Sequence, residues 1–190
     1  SGEAASRRAF LSRLLHGAYP QSQELDQSFA EKGLTLLGED FMVFIYCVEG
    51  WDHGVLPDIY EGGETPLIET IVVNVVEELC GRRHRGYVQY TAKGVFVCLL
   101  NLTRGVRPED AAGDAHDIAR QSQEVFAEQL GIYCSVAYSG IHGGYGGIQT
   151  CYREAQRAME YRLVEGERRI LPYKSLSGRQ FVYNPEFRAT

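Results

Sequence analysis

The sequence lacks any apolar stretch long enough to span a membrane: its longest apolar run, Phe41–Val48, has eight residues, and a spanning helix needs about 20. It also lacks excess positive charge, because the formal net charge is -6, whereas a nucleic-acid-binding face needs cations that displace counterions. The start carries no signal-peptide pattern. We therefore expect no direct membrane or nucleic-acid contact by this chain, although a parent protein that contains it can still be membrane-anchored.

Cysteine and histidine are present without the spacings that metal sites use. The five cysteines form no CxxC pair, and Cys47, Cys98 and Cys134 lie within apolar runs, which predicts buried, reduced thiols and a cytoplasmic location. His116 and Asp117 are adjacent but fit a helix surface better than a metal centre. We predict no metal and no cofactor.

Sequence motifs that expose a nucleophile or cradle a phosphate are also missing. The stretch Gly140–Gly147 is rich in glycine, yet it fits neither GxxxxGK[ST] nor GxGxxG, and no GxSxG elbow occurs. We interpret this stretch as a flexible connection, with His142 and Tyr145 as its ligand contacts if a small molecule binds there. No catalytic residue is assigned.

Apolar periodicity predicts alternating strands and helices after a helical lead-in. The connection Thr91–Gly94 is short enough to force an antiparallel hairpin. The predicted strands are 41–48, 87–90, 95–100, 132–139 and 169–173, and the predicted helices are two short ones before residue 36, then 65–81, 108–130 and one from about 148 to 166. The order predicts an α+β, ferredoxin-like sandwich, with helices packed on a five-stranded mixed sheet.

The chain divides into three parts on this interpretation. Residues 1–36 form a helical connector, residues 37–176 form the domain, and residues 177–190 form a tail or the start of a linker. The tail has no periodicity that would predict an element of its own.

Two stretches carry a family resemblance. The run Cys151–Arg162 resembles the SYxEAxxALxYR pattern of the GGDEF-like domains in AraC-type bacterial transcription regulators, with Cys151 in place of serine and Met159 in place of leucine. Phe10–Gly17 is similar to the FLxxLLxG stretch that precedes such domains. The helical spacing makes Tyr152, Ala155 and Met159 core residues and Arg153, Glu154, Arg157 and Glu160 solvated or helix-paired ones.

The resemblance implies a nucleotidyl-cyclase (GGDEF-like) fold and directs attention to the hairpin. An active diguanylate cyclase holds GTP and magnesium with carboxylates on this hairpin and at the end of the first strand. Here the hairpin Thr91–Val95 has no carboxylate, and Glu49 is the acidic candidate after the first strand. We therefore expect that the chain is not an enzyme. The candidate ligand-binding residues are Glu49, Trp51, Lys93, His142 and Tyr145.

The resemblance also implies a role and partners. We expect a non-catalytic, signal-transmitting domain of an AraC-type regulator, acting as a homodimer and reaching DNA only through a C-terminal helix-turn-helix part absent from this chain. The alternative is a nucleotide- or metabolite-binding sensor that keeps a cyclase-like pocket without its chemistry.

Overall fold

The fold comes from a computed structural model that describes residues 2–18, 22–51 and 65–177. Six strands and seven α-helices are found within these ranges, together with a π-helical turn at Phe126–Leu130. In chain order the elements are α1 (Gly2–Leu15), α2 (Ser22–Glu31), β1 (Asp40–Val48), α3 (Thr65–Gly81), β2 (Arg85–Ala92), β3 (Val95–Asn101), α4 (Pro108–Val125), β4 (Cys134–Tyr138), β5 (His142–Gly143), α5 (Gly144–Glu160), α6 (Arg162–Glu165), β6 (Ile170–Pro172) and α7 (Tyr173–Ser177).

The strands form one mixed sheet in the order β2-β3-β1-β4-β6. The pairs β2–β3, β3–β1 and β1–β4 are antiparallel, and β4–β6 is parallel. This confirms the predicted α+β fold with helices on a mixed sheet. Two short elements were not predicted: β5, which pairs with the start of β1, and α7, which begins at Tyr173 within the predicted last strand.

Two hydrophobic cores sandwich the sheet. In the first core, one face of β1, with Phe44 and Tyr46, packs against α3 and α4. In the second core, the opposite face, with Val43 and Ile45, packs against α1, α2 and α5. Because the central strand is covered on both faces, its sequence is apolar throughout instead of alternating. The continuous run Phe41–Val48 is thereby explained.

The lead-in helices belong to the second core. Phe10, Leu11, Leu14 and Leu15 of α1 are each at most 3% exposed, and the Phe10 ring meets the Phe29 ring of α2 edge-on at 5.1 Å. Helices were expected in residues 1–36, and the structure places both on the sheet. The proposed tail is described only as far as residue 177, and residues 178–190 lie outside the described part.

The hairpin between β2 and β3 is tighter than the four residues expected from the sequence. Ala92 pairs with Val95, so the turn consists of Lys93 and Gly94, whose φ angles are 50° and 77°. Two central residues with positive φ match the right-handed twist of the flanking strands. This turn fixes the end of the sheet where β1 also terminates.

None of the helices within the described ranges combines the length and the hydrophobicity that a membrane crossing requires.

Candidate functional site

Three of the five candidate residues, Glu49, Trp51 and Lys93, lie at the end of the sheet where β1 ends and the β2–β3 hairpin turns. The Val48 N–H donates to the Gly94 carbonyl at 2.9 Å, so Glu49 follows at the same end of the sheet as the Lys93–Gly94 turn. A Cβ atom added at Gly94 would lie 2.8 Å from the Trp51 Cβ, so the turn backbone touches this side chain. We call the surface formed by Glu49, Trp51, Lys93 and Gly94 the hairpin end.

Trp51 is held by aromatic packing. Its ring centroid lies 5.6 Å from Tyr90 and 6.2 Å from Phe96, the latter edge-on. Both partners sit on the hairpin strands, so the indole covers the edge of the first core while it stays partly exposed. A partly exposed, rigidly packed indole beside a lysine offers a flat stacking surface to an aromatic ligand.

Glu49 is tied into the sheet. Its carboxylate accepts a hydrogen bond from Ser135 Oγ at 3.0 Å, and its N–H donates to the Tyr133 carbonyl at 2.8 Å. Ser135 Oγ in turn accepts from the Arg169 N–H at 3.3 Å. Sequence reasoning missed Ser135 and Arg169, because they come from β4 and from the segment before β6 and carry no local signal.

The thiols near Glu49 are kept in the neutral form. Burial raises the pKa of Cys134, and the charges of Glu49 and Cys47 add to this rise. Burial also raises the pKa of Cys47, with Arg162 opposing it. Neutral thiols are poor metal ligands and poor nucleophiles. Each of the five cysteines is buried and free, as predicted for Cys47, Cys98 and Cys134.

The other two candidates, His142 and Tyr145, lie at the opposite end of β1. Gly143 pairs with Asp40, the first residue of the strand, whereas the hairpin end begins after Val48, about 25 Å further along an extended strand. The structure therefore does not bring the five candidates together. A single ligand site that contains all of them is excluded by this separation.

His142 and Tyr145 also have partners within the chain. His142 Nε2 lies 2.9 Å from Glu154 Oε1, and the Tyr145 hydroxyl donates to Asp26 of α2. The Tyr145 ring stacks on Phe29 at 5.4 Å. Burial and the neighbouring Asp26 raise the pKa of this phenol. The side chains of His142 and Tyr145 are thus both bonded to other parts of the fold.

The stretch Gly140–Gly147 is not the flexible connection predicted from its glycines. Glu154 Oε1 accepts from the Gly140 N–H at 2.9 Å as well as contacting His142, and we call these three residues the Glu154 latch. The Gly144 N–H donates to the Glu39 carbonyl at 2.8 Å. A Cβ at Gly147 would lie 2.9 Å from the His142 Cβ, so close backbone approach explains this glycine better than mobility does.

Two predictions for α5 are corrected by the latch and by the packing. Glu154 was expected to be solvated or paired within its helix. Its side chain is only 17% exposed, and it bonds at 2.9 Å to Gly140 and to His142, which both precede α5. Tyr152 and Met159 were expected in the core, but both are half-buried. The buried residues of α5 are Ile148, Cys151, Ala155 and Ala158. The buried stripe of α5 is therefore narrower than the sequence predicted, and its side chains are smaller.

A buried polar cluster lies at the end of α3. His84 is 3% exposed; its Nε2 lies 2.8 Å from Asp114 Oδ2, and the Thr103 N–H donates to its Nδ1 at 3.0 Å. Arg83 bonds the other Asp114 oxygen at 2.6 Å. Because Nδ1 accepts, Nε2 carries the proton toward Asp114, and the cluster ties α3 to α4.

Within the described ranges, no group of three or more His, Cys, Asp or Glu side chains is arranged to hold a metal ion.

The comparison with solved structures identifies the fold. The chain is similar to the active GGEEF domain of a diguanylate cyclase from Vibrio cholerae, with a TM-score of 0.53 and 16% identity over 71% of this chain and 83% of that one. It is also similar to the GGDEF domain of YfiN (TpbB) from Pseudomonas aeruginosa, with a TM-score of 0.50 and 13% identity over 93% and 94% of the two chains. No curated protein sequence matches.

One prediction is contradicted by this comparison. We expected from the hairpin sequence that the chain is not an enzyme, but it shares its fold with an active diguanylate cyclase domain. At this identity the likeness concerns the fold, and the fold is one on which cyclase chemistry occurs. The missing hairpin carboxylates are therefore not sufficient grounds for the prediction.

The sequence-family comparison matches residues 34–161 to the GGDEF-like domain. The match begins just before β1 and ends at the last residue before α6, so it covers most of the domain predicted from the sequence. The chain belongs to the family of GGDEF-like domains.

Proposed function

We propose that this chain is a signal-transmitting domain of an AraC-type transcription regulator, and that it acts in the cytoplasm as a homodimer. The DNA-binding helix-turn-helix units would then lie C-terminal to it, and a change in dimer geometry would set the distance between the two half-sites that they contact. The proposal rests on the resemblance of Cys151–Arg162 and Phe10–Gly17 to AraC-type regulators.

The observation that carries the proposal is that these two stretches touch each other. The His16 ring at the end of α1 meets the Tyr152 ring of α5 edge-on at 5.4 Å, and Gln149 Nε2 donates to the His16 carbonyl at 3.1 Å. A Cβ at Gly17 would lie 2.4 Å from Gln149 Oε1. A displacement of α1 by an upstream input would therefore press directly on α5.

This contact suggests the direction in which a signal passes. On its far side α5 packs against β1 and β4, and the Glu154 latch joins it to the segment after β4. An input at α1 can thus reach the whole second core without passing through the hairpin end. A shift of packed helices is one of the established ways in which allosteric proteins transmit a signal.

The experiment starts from the reading frame beyond the codon for Thr190, where we expect two helix-turn-helix units. A regulator containing the double change Tyr152→Ala and Gln149→Ala should keep DNA affinity but lose most of its response to its signal in a promoter–reporter assay. Arg157→Ala, on the exposed side of α5, is the matched control. Light scattering of the isolated chain tests the homodimer. A stop codon, or a catalytic domain in place of the helix-turn-helix units, would overturn the proposal.

A second candidate function is a nucleotide- or metabolite-binding sensor at the hairpin end. The observation that favours it is the position of Trp51, Lys93 and Glu49 at the end of the sheet where the family resemblance places GTP, with Trp51 in contact with the turn at Gly94. Calorimetric titration with GTP, with and without Mg²⁺, tests it, and Lys93→Ala should weaken binding about tenfold if the ammonium pairs with a phosphate. Product analysis of the same samples measures cyclase turnover, the activity of the structural neighbour.

A further inference from the structure

A cavity of about 860 Å³ opens along the free edge of the sheet, away from the hairpin end and the Glu154 latch. β2 is the edge strand, and the cavity lies between α1 on one side and α3 on the other, with the end of α2 closing one end. Its volume falls in the range of small-molecule sites. The family resemblance places no ligand here.

The floor of this cavity contains a buried polar group without a partner. Gln89 of β2 lines the cavity and is 7% exposed, and its Oε1 atom has no hydrogen-bond partner among the described residues. Its cross-strand neighbour is Val97, a core residue. Buried carbonyl oxygens are almost always hydrogen-bonded, so an unpaired one at a cavity wall calls for a donor from outside the chain.

The edge strand itself is protected against pairing with another strand. The Val88 N–H donates to Glu77 Oε2 at 2.9 Å, and Arg7 of α1 bonds the same oxygen at 3.3 Å while its guanidinium lies over the Tyr87 ring at 5.1 Å. An added β-strand would need the Val88 N–H that Glu77 already occupies. The geometry therefore favours a small molecule over an extended peptide.

Charges of both signs face the cavity without partners. Arg8 of α1 and Glu69 of α3 line it, and neither has an ion pair or side-chain hydrogen bond within the described part of the chain. Lys32, by contrast, already donates to Ser6 Oγ at 2.5 Å. α1 also places Glu3 on the lining, so the two signs of charge do not separate by helix. A ligand with a single sign of charge would pair with Arg8 or with the carboxylates but would be repelled by the other.

We propose that this cavity binds a small zwitterion, a free amino acid or a dipeptide. Its carboxylate pairs with Arg8, and its ammonium group faces Glu69 and donates to Gln89 Oε1. The ligand then connects α1 to β2 and α3, and it reinforces the link that Arg7 and Glu77 make between the same elements. The proposal is independent of the hairpin end and of the AraC assignment.

Thermal unfolding of the chain with a panel of amino acids and dipeptides tests the proposal. At 100 times its dissociation constant, the ligand should raise Tm by about 5–10 °C. Dicarboxylates and diamines, which each lack one of the two charges, should leave Tm unchanged. No shift with any zwitterion, or equal shifts with dicarboxylates or diamines, would overturn the proposal.

Two variants test the residues. Gln89→Leu should weaken binding at least tenfold and yet raise Tm of the free protein by about 2 °C or more, because it removes the unpaired carbonyl. Arg8→Ala should weaken binding several-fold. Gln129→Leu and Arg157→Ala, both exposed and remote from the cavity lining, should change neither quantity. Unchanged affinity in Gln89→Leu, or a lower Tm of its free form, would contradict the assignment of Gln89.

Discussion

The Glu154 latch gives the sharpest stability prediction. Replacing Glu154 with alanine removes two hydrogen bonds of 2.9 Å, one from the Gly140 N–H and one from His142 Nε2, and leaves a part-buried N–H without an acceptor. Hydrogen bonds to charged groups contribute about 1.5–3 kcal/mol each, and loss of shared partners is less than additive. We expect the free energy of unfolding to fall by about 2–4 kcal/mol.

Two further variants separate the latch from general effects on α5. Glu154→Gln keeps an acceptor for Gly140 and should cost about 1 kcal/mol. Glu160→Ala, an exposed position on the same helix, should stay within about 0.5 kcal/mol of the parent protein.

Urea unfolding followed by the fluorescence of Trp51, the single tryptophan of the chain, measures all three variants. For a chain of this size the alanine variant should also lower Tm by about 5–15 °C. Amide exchange at Gly140 should accelerate because its N–H loses its acceptor, and exchange in the core strands, which occurs through global unfolding, should accelerate with the fall in stability. Equal midpoints for Glu154→Ala and Glu160→Ala would refute the reasoning, because they would mean that the two bonds contribute nothing net.

Three other predictions follow from single features. Gly94→Ala should destabilise the chain more than Gly105→Ala in urea: both positions have positive φ, 77° and 84°, but a Cβ clashes with Trp51 only at Gly94, and equal losses would contradict the contact. Phe126→Ala should cost about 3–5 kcal/mol by opening a cavity, since Phe126 is fully buried and its ring packs edge-on to Tyr46. Burial raises the pKa of Tyr138 to about 12, so above pH 10 the unfolded chain loses this proton first and stability falls until about pH 12. Tyr138→Phe should reduce that loss by up to about 1.4 kcal/mol per pH unit. An unchanged dependence of stability on pH between 10 and 12 would contradict the raised pKa of Tyr138.

Local patterns in the sequence were enough to predict most of the fold. The run Phe41–Val48 predicted the first strand, and the short Thr91–Gly94 connection predicted the hairpin, because both depend on residues that are neighbours in the chain. The helix predicted over 108–130 ends in the structure at Gly131, whose φ is 65°. The resemblance of Cys151–Arg162 then identified the family.

Predictions for the site depended on contacts between distant residues, which local patterns in the sequence do not record. The sequence named Glu49, Trp51, Lys93, His142 and Tyr145 but could not divide them between two ends of β1. Glu154 was predicted to be solvated or paired within its helix, because helical spacing shows which face of a helix is buried but not which backbone N–H outside the helix a carboxylate contacts.

The amino-acid sequence by itself thus determined the order of the elements, the β2–β3 hairpin and the family. The tertiary structure alone decided that the end of α1 contacts α5, that Glu154 anchors the stretch Gly140–Gly147, and that Gln89 Oε1, beside a cavity, lacks a hydrogen-bond partner among the described residues. The physical reason is the range of the interactions: periodicity and turns are set by residues a few positions apart, whereas the partners of Tyr145 and Glu49 lie 119 and 86 positions away.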